Sequence, residues 1–245
     1  EIYTVKDTLS LHDALPICAL ASARPRRFVE TLRACGALSA VFPELDALFG
    51  VPQSAQYHPE IDTGEHVLMV LDQVVRLEAP VHVAWAALVH DLGKAVTPAG
   101  VLPSHRGHEE AGMPLVEAMS QRLRVPKAWR ELALAVCRWH LHCHRALTLR
   151  AATLVTLLEQ VDAFRRPERF ADFLLACEAD ARGRLGLERE PYPQAAFLRE
   201  ARRVAAGIDV RPLVESGLRG PALGERLHAE RVQAVAAIDR APFTP

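Results

Sequence analysis

From residue 25 onward, apolar positions recur at helical spacing. Over 26–37 they fall at Phe28, Leu32 and Cys35, and Gly36 marks a stop. Pro43 opens a short segment with Leu45, Leu48 and Phe49 on one side, and 51–59 reads as a loop bracketed by prolines. Asp62 or Thr63 can cap a helix that carries His66, Met69, Val70, Gln73 and Leu77 on one broad face. Pro80 starts VHVAWAALVHDLG, whose alanine-rich centre suits deep burial and whose Gly93 is placed to end it. The loop 94–107 holds two prolines, two glycines and His105. Helical patterns resume over 108–123, 126–144, 151–165, 167–181, 192–206 and 221–239. Alternating strands, internal repeats and low-complexity tracts are absent from the sequence, so the pattern predicts an all-α fold, a helical core with flanking helical segments.

The first 17 residues, EIYTVKDTLSLHDALPI, fit poorly with this pattern and look like translated sequencing-adapter sequence. Their His12-Asp13 pair lacks helical context and is set aside.

A chain of 245 residues can bury a sizeable core, as one large domain or two small ones. Half of its residues are apolar and 24% are charged, which excludes a disordered composition. The net charge of −1 supplies no global field for nucleic acid, so any RNA contact must use a local patch. Five cysteines in no pattern read as reduced thiols. No run of about 18 uncharged apolar residues argues for a membrane span, and the N-terminus does not resemble a signal peptide. The expectation is a cytoplasmic protein with no membrane partner.

The chemistry concentrates at His90-Asp91, which closes an apolar run and is followed by Leu92-Gly93-Lys94. His66 lies 24 residues upstream, and Asp162 could arrive from a later helix across the core. Two imidazoles and two carboxylates make a mixed nitrogen-oxygen set suited to manganese, nickel, cobalt or magnesium. No cysteine pair joins the set, which argues against a closed structural zinc site. Each residue also has a plainer role: His66 as a polar helix-end residue, Asp162 as a solvated residue or a cap before Pro167. Lys94 either neutralises a phosphate oxygen or faces solvent. His105 and His108 could bind phosphate, supply a proton or hold a second ion, or else sit in a solvated loop with His108 as a cap. On a helix His140 and His144 share a face; they add to the site, contact substrate or form a polar helix end. His142 and Cys143 carry no expected role.

The stretches YHPEIDTGEHVLMVL, LVHDLGKAVTPAGVLPSHRGHEEAG, VDAFRRPERF and CEADARGRLGLE, with RACGALSAVFPELDALFGVPQ before them, carry a resemblance. The set His66, His90-Asp91, Asp162 resembles the HD-domain superfamily of metal-dependent phosphohydrolases. Residues 19–240 resemble more closely the C-terminal portion of the bacterial multifunctional CCA protein family, tRNA nucleotidyltransferases with an HD domain appended. That resemblance implies 2′,3′-cyclic phosphodiesterase, 2′-nucleotidase and phosphatase activities, nickel or magnesium as the ion, and tRNA and nucleotide phosphate esters as partners. It leaves a homodimer open.

The nucleotidyltransferase motifs of that family do not occur here, so CCA addition is not expected of this chain alone. The implied organisation is a linker over 18–62, an HD domain over 63–165 and a tRNA-associated helical region over 166–245. In this reading His66, His90, Asp91 and Asp162 hold the metal, while Asp91, Lys94 and His108 carry catalysis. Arg219, Arg226 and Arg231 mark either an RNA contact or a solvated helix face. The rival reading is a non-catalytic tRNA-binding scaffold, with salt-sensitive tRNA binding and no metal-stimulated hydrolysis.

Overall fold

A computed structural model describes residues 18–244; His12-Asp13 lies outside the described residues. The helices are α1 (Pro25–Ala34), α2 (Leu38–Val41), α3 (Pro43–Asp46), α4 (Thr63–Arg76), α5 (Val81–Val89), α6 (His108–Arg122), α7 (Lys127–His144), α8 (Ala151–Gln160), α9 (Pro167–Arg182), α10 (Pro193–Ala206), α11 (Arg211–Glu215) and α12 (Gly220–Ala236). Short 3-10 turns include Leu92–Val96. The fold is all-α, and the described residues contain no strand, only an isolated bridge between Pro52 and Asp62.

Helix α5 is the central rod. Every residue from Val83 to Val89 is buried, as an apolar run with small alanines permits where helices pack on several sides. Helices α4, α7 and α9 pack around it, and α6 packs on α7 and on the 3-10 turn that follows α5. Asp62 caps α4, its carboxylate accepting from Glu65 N at 3.0 Å. Helices α8, α10 and α12 form a second group, tied to the first mainly through α7.

One expectation changes. The α-helical ladder ends at Val89, and Gly93 lies inside the Leu92–Val96 turn instead of capping α5. Its role is close approach: a Cβ there would lie 2.0 Å from His108 O and 2.6 Å from Gly112 N. Helix α9, beyond the expected boundary at 165, packs on α4, α5 and α7. Segment 18–62 is tied to the bundle by Arg26 on α1, which pairs with Asp72 on α4 at 3.0 Å.

The arginines weighed as an RNA contact all have internal partners. Arg219 donates to Val214 O, Arg226 pairs with Glu230 at 2.6 Å, and Arg231 reaches Glu159 at 3.1 Å while lying over the Phe164 ring. Arg231 thus ties α12 to α8. The five cysteines are free thiols.

Candidate metal centre

The end of α5 points His90 and Asp91 into the middle of the bundle, where both are buried. His66 comes from α4, His108 from the first turn of α6, His140 from α7 and Asp180 from the last turns of α9. Four imidazoles and two carboxylates therefore meet from five elements.

Backbone carbonyls fix the rings. The Nδ1–H of His66 donates to Gly183 O at 3.0 Å, and that of His90 to Ala87 O at 2.7 Å. His108 Nδ1 donates to His105 O at 2.7 Å, and His140 Nδ1 to Val136 O at 3.1 Å. A carbonyl can only accept, so in the neutral ring each Nε2 presents a lone pair inward, the tautomer a metal ligand needs. The Nε2 atoms converge on the carboxylates. His66 lies 3.0 Å from Asp180 Oδ1, His90 3.2 Å from Asp91 Oδ2 and 3.5 Å from Asp180 Oδ1, and His108 3.2 Å from Asp91 Oδ1. The donor atoms of His66, His90 and Asp91 lie within 4.8 Å of one another, as do those of His90, His140 and Asp180, and of Asp91, His108 and His140.

The donor chemistry fits a divalent cation. His90 Nε2 and Asp91 Oδ1 are buried without a hydrogen-bond partner among the described residues, although buried polar atoms are normally paired. His108 Nε2 and His140 Nε2 face each other at 3.4 Å. A cation between these groups satisfies lone pairs that otherwise oppose one another.

The electrostatics point the same way. Burial opposes ionisation of Asp91 and Asp180, yet His90 and Lys94 beside the first, and His90 and His144 beside the second, hold both carboxylates well below their usual range. Burial also opposes a proton on His90, but Asp91 and Asp180 outweigh it and raise its pKa to about 10. Burial drives His140 well below the ordinary imidazole value. The metal-free site thus keeps one proton on His90 in place of a cation.

Residues 63–170 match the HD domain family model. The chain carries an HD domain. It is 57% identical over 222 residues to the Multifunctional CCA protein of Alkalilimnicola ehrlichii, covering 91% of this chain and 54% of that protein. The Multifunctional CCA protein of Thioalkalivibrio sulfidiphilus is 57% identical over 89% of this chain and 53% of its own length. That of Methylococcus capsulatus is 54% identical over 93% and 54%. The chain spans about half the length of the curated relatives it matches, and the C-terminal, HD-bearing half of this family fits the match.

Within the HD domain, His66, His90 and Asp91 come together as the sequence suggests. Asp162 does not join them. It sits at φ 59° just past the end of α8, and its carboxylate pairs with Arg165 at 2.6 Å and Arg166 at 3.4 Å. Asp180 stands beside His66 and His90 instead, because α9 carries it back onto α4. A Cβ on Gly183 would lie 2.8 Å from Val70 Cα, and this close approach is what sets Gly183 O on His66.

Lys94 is buried, with Nζ 2.7 Å from Asp91 Oδ2 and donating to Gln53 Oε1 at 2.8 Å. His108 and His140 join the cluster, whereas His144 stands outside it, Nε2 on Asp180 Oδ2 at 2.6 Å and Nδ1 on the Tyr192 hydroxyl at 2.9 Å. His105 bridges Thr97 and Pro52 O and does not reach the cluster. Sequence reasoning missed Asp180, His58 and Glu60. Glu60 Oε1 lies 3.1 Å from His66 Nδ1 and 2.9 Å from His58 Nδ1; burial takes His58 down to about 4 although Glu60 favours its charged form. All three missed residues fall inside the stretches YHPEIDTGEH and CEADARGR, which carry the family resemblance.

A cavity of about 750 Å³ opens beside the cluster, lined by Lys94, His105, His108 and His144 among others. His108 belongs to both the cluster and the cavity lining, and the open mouth leaves room for a phosphate ester. Among the described residues, no helix is long and apolar enough to cross a membrane.

Proposed function

We propose that this chain is a divalent-metal-dependent phosphohydrolase acting on nucleotide phosphate esters, as a 2′,3′-cyclic phosphodiesterase, 2′-nucleotidase and phosphatase. The observation that carries the reading is the buried cluster of His66, His90, Asp91 and Asp180, with His90 Nε2 and Asp91 Oδ1 unpartnered beside an open cavity. These four residues hold the ion, nickel, magnesium or manganese, and His108 and His140 with Asp91 offer a second position. When bound, the ion polarises a phosphoryl oxygen and makes water more acidic.

The chain's own groups do the rest. Asp91 Oδ1 orients the incoming water. Lys94, held by Gln53 and Asp91, sets its charge at the cavity wall against the phosphate. His108 lines both cluster and cavity; with its Nδ1–H on a carbonyl, Nε2 serves as an ion-holding atom. The CCA name of the relatives, with the family resemblance of the motifs, supports tRNA 3′ ends as the physiological setting.

The test is hydrolysis of 2′,3′-cyclic AMP with magnesium, manganese or nickel against a chelator. Asp180→Asn loses more than the roughly 10–100-fold that removal of an outer partner costs, whereas Asp162→Asn stays near wild type. Turnover surviving in folded Asp180→Asn, or unchanged by chelator, ends the proposal, and no turnover from the folded, metal-loaded chain favours the tRNA-binding scaffold.

A further inference from the structure

Three arginines from three different elements line the cavity and take no part in the cluster. Arg106 lies in the loop before α6, Arg145 follows the last residue of α7, and Arg184 follows Gly183 at the end of α9. Elsewhere arginines are commonly paired with carboxylates, as Arg26, Arg166 and Arg169 are. Among the described residues these three have no carboxylate partner. Arg145 donates only to Leu141 O, at 3.2 Å, and the buried Nε of half-buried Arg184 has no acceptor. Two of them stand at helix C-termini, where a cation is favoured without any ligand. Dipole stabilisation does not account for Arg106, nor for all three facing one cavity whose sole lining carboxylate is Glu109. That carboxylate stands beside His108, Oε2 to Nδ1 3.5 Å.

A guanidinium presents a planar fork of donors that matches phosphate oxygens. In the phosphohydrolase reading one phosphate is served by the cluster and Lys94, and the cavity lining extends beyond them to the three arginines. Tyr57, 60% exposed, lines the same cavity and offers an aromatic face of the kind on which bases stack.

We propose that Arg106, Arg145 and Arg184 form a second phosphate subsite, so that the cavity selects substrates carrying a second phosphate beyond the ester that is hydrolysed. The inference rests on the phosphohydrolase reading for where the first phosphate sits. The second phosphate is an internucleotide phosphate of an RNA end or the 5′-phosphate of a mononucleotide.

The test is binding of 5′-fluorescein-labelled ApApA to the full chain in chelator, followed by anisotropy across a salt series. Arg106→Ala/Arg145→Ala/Arg184→Gln weakens binding at least tenfold and flattens the slope of log K against log salt by about 0.7 for each phosphate no longer neutralised. Arg199→Ala, outside the cavity, leaves it unchanged. If the triple variant does not fold, Arg106→Ala/Arg145→Ala, both exposed, shows the smaller loss of the same sign. Competition separates the sources: stronger displacement by ApAp assigns an internucleotide phosphate, and stronger displacement by adenosine 3′,5′-bisphosphate assigns a 5′-phosphate. Adenosine 3′-monophosphate displacing the probe as well as both, or unaltered affinity and salt slope in the folded variants, overturns the subsite. Turnover of 2′,3′-cyclic AMP with manganese, measured on the same wild-type preparation, tests the phosphohydrolase reading separately.

Discussion

At the residue scale the site is a competition between a proton and a cation for the same lone pairs. Burial disfavours a charged His90, but two buried carboxylates raise its pKa to about 10. His90 is therefore protonated at neutral pH in the metal-free protein, and the ion must displace that proton. His140 and His144, lowered by burial, are already neutral and release none. Below the His90 pKa the apparent metal affinity therefore rises with pH, by about tenfold per unit for one proton. Calorimetric titration at pH 7 in buffers of different ionisation enthalpy should count about one proton released from His90; a count of zero sinks this account. The residue scale also shows where the sequence was legible. HDLGK after an apolar run is local, and so are the carbonyls three or four residues back that fix His90, His108 and His140, whereas Gly183 O, which fixes His66, is distant in sequence. The choice between Asp162 and Asp180 is not local: both end helical stretches, and only the packing of α9 on α4 decides which carboxylate meets His66.

At the element scale the cluster depends on how closely helices approach. The Leu92–Val96 turn lies against α6 because Gly93 and Gly112 present no side chain to each other's backbone; a Cβ on Gly112 would also meet Cys137 Sγ at 2.8 Å. That approach sets the distance between Asp91 and His108. Gly93→Ala forces the turn away from His108 O, an overpacking that costs about 1–3 kcal/mol or more. At roughly 2–4 °C per kcal/mol for a chain of this size, calorimetry in chelator should show the melting temperature falling by several degrees. Metal affinity should fall with it, since Asp91 and His108 move apart. An unchanged melting temperature means the helices give way freely and the close approach is not a constraint. Periodicity located nearly every helix, because buried faces repeat at 3.6 residues. It could not reveal Gly93 as a packing residue, since a stop signal and a close approach both call for glycine.

At the scale of the whole molecule, the groups proposed to hold the ion all come, among the described residues, from the central bundle. Helices α4, α5, α6, α7 and α9 contribute them; α8, α10 and α12 contribute none. Helix α12 buries only Val235 along its length and α11 buries no residue, whereas α5 buries seven of nine. Opening of α12 therefore exposes little apolar surface and proceeds without disturbing the cluster. Metal stabilises only those openings that break its site, by about 4.1 kcal/mol at a thousandfold excess over Kd. Hydrogen exchange followed by mass spectrometry, with and without manganese, should then show protection rising in α5 and α9 and unchanged in α12. Equal gains across all three would mean that the two helix groups unfold as one unit. In that case the metal would stabilise α12 as strongly as the bundle, and Arg231, on Glu159 and over Phe164, would be the first residue to replace in order to uncouple them.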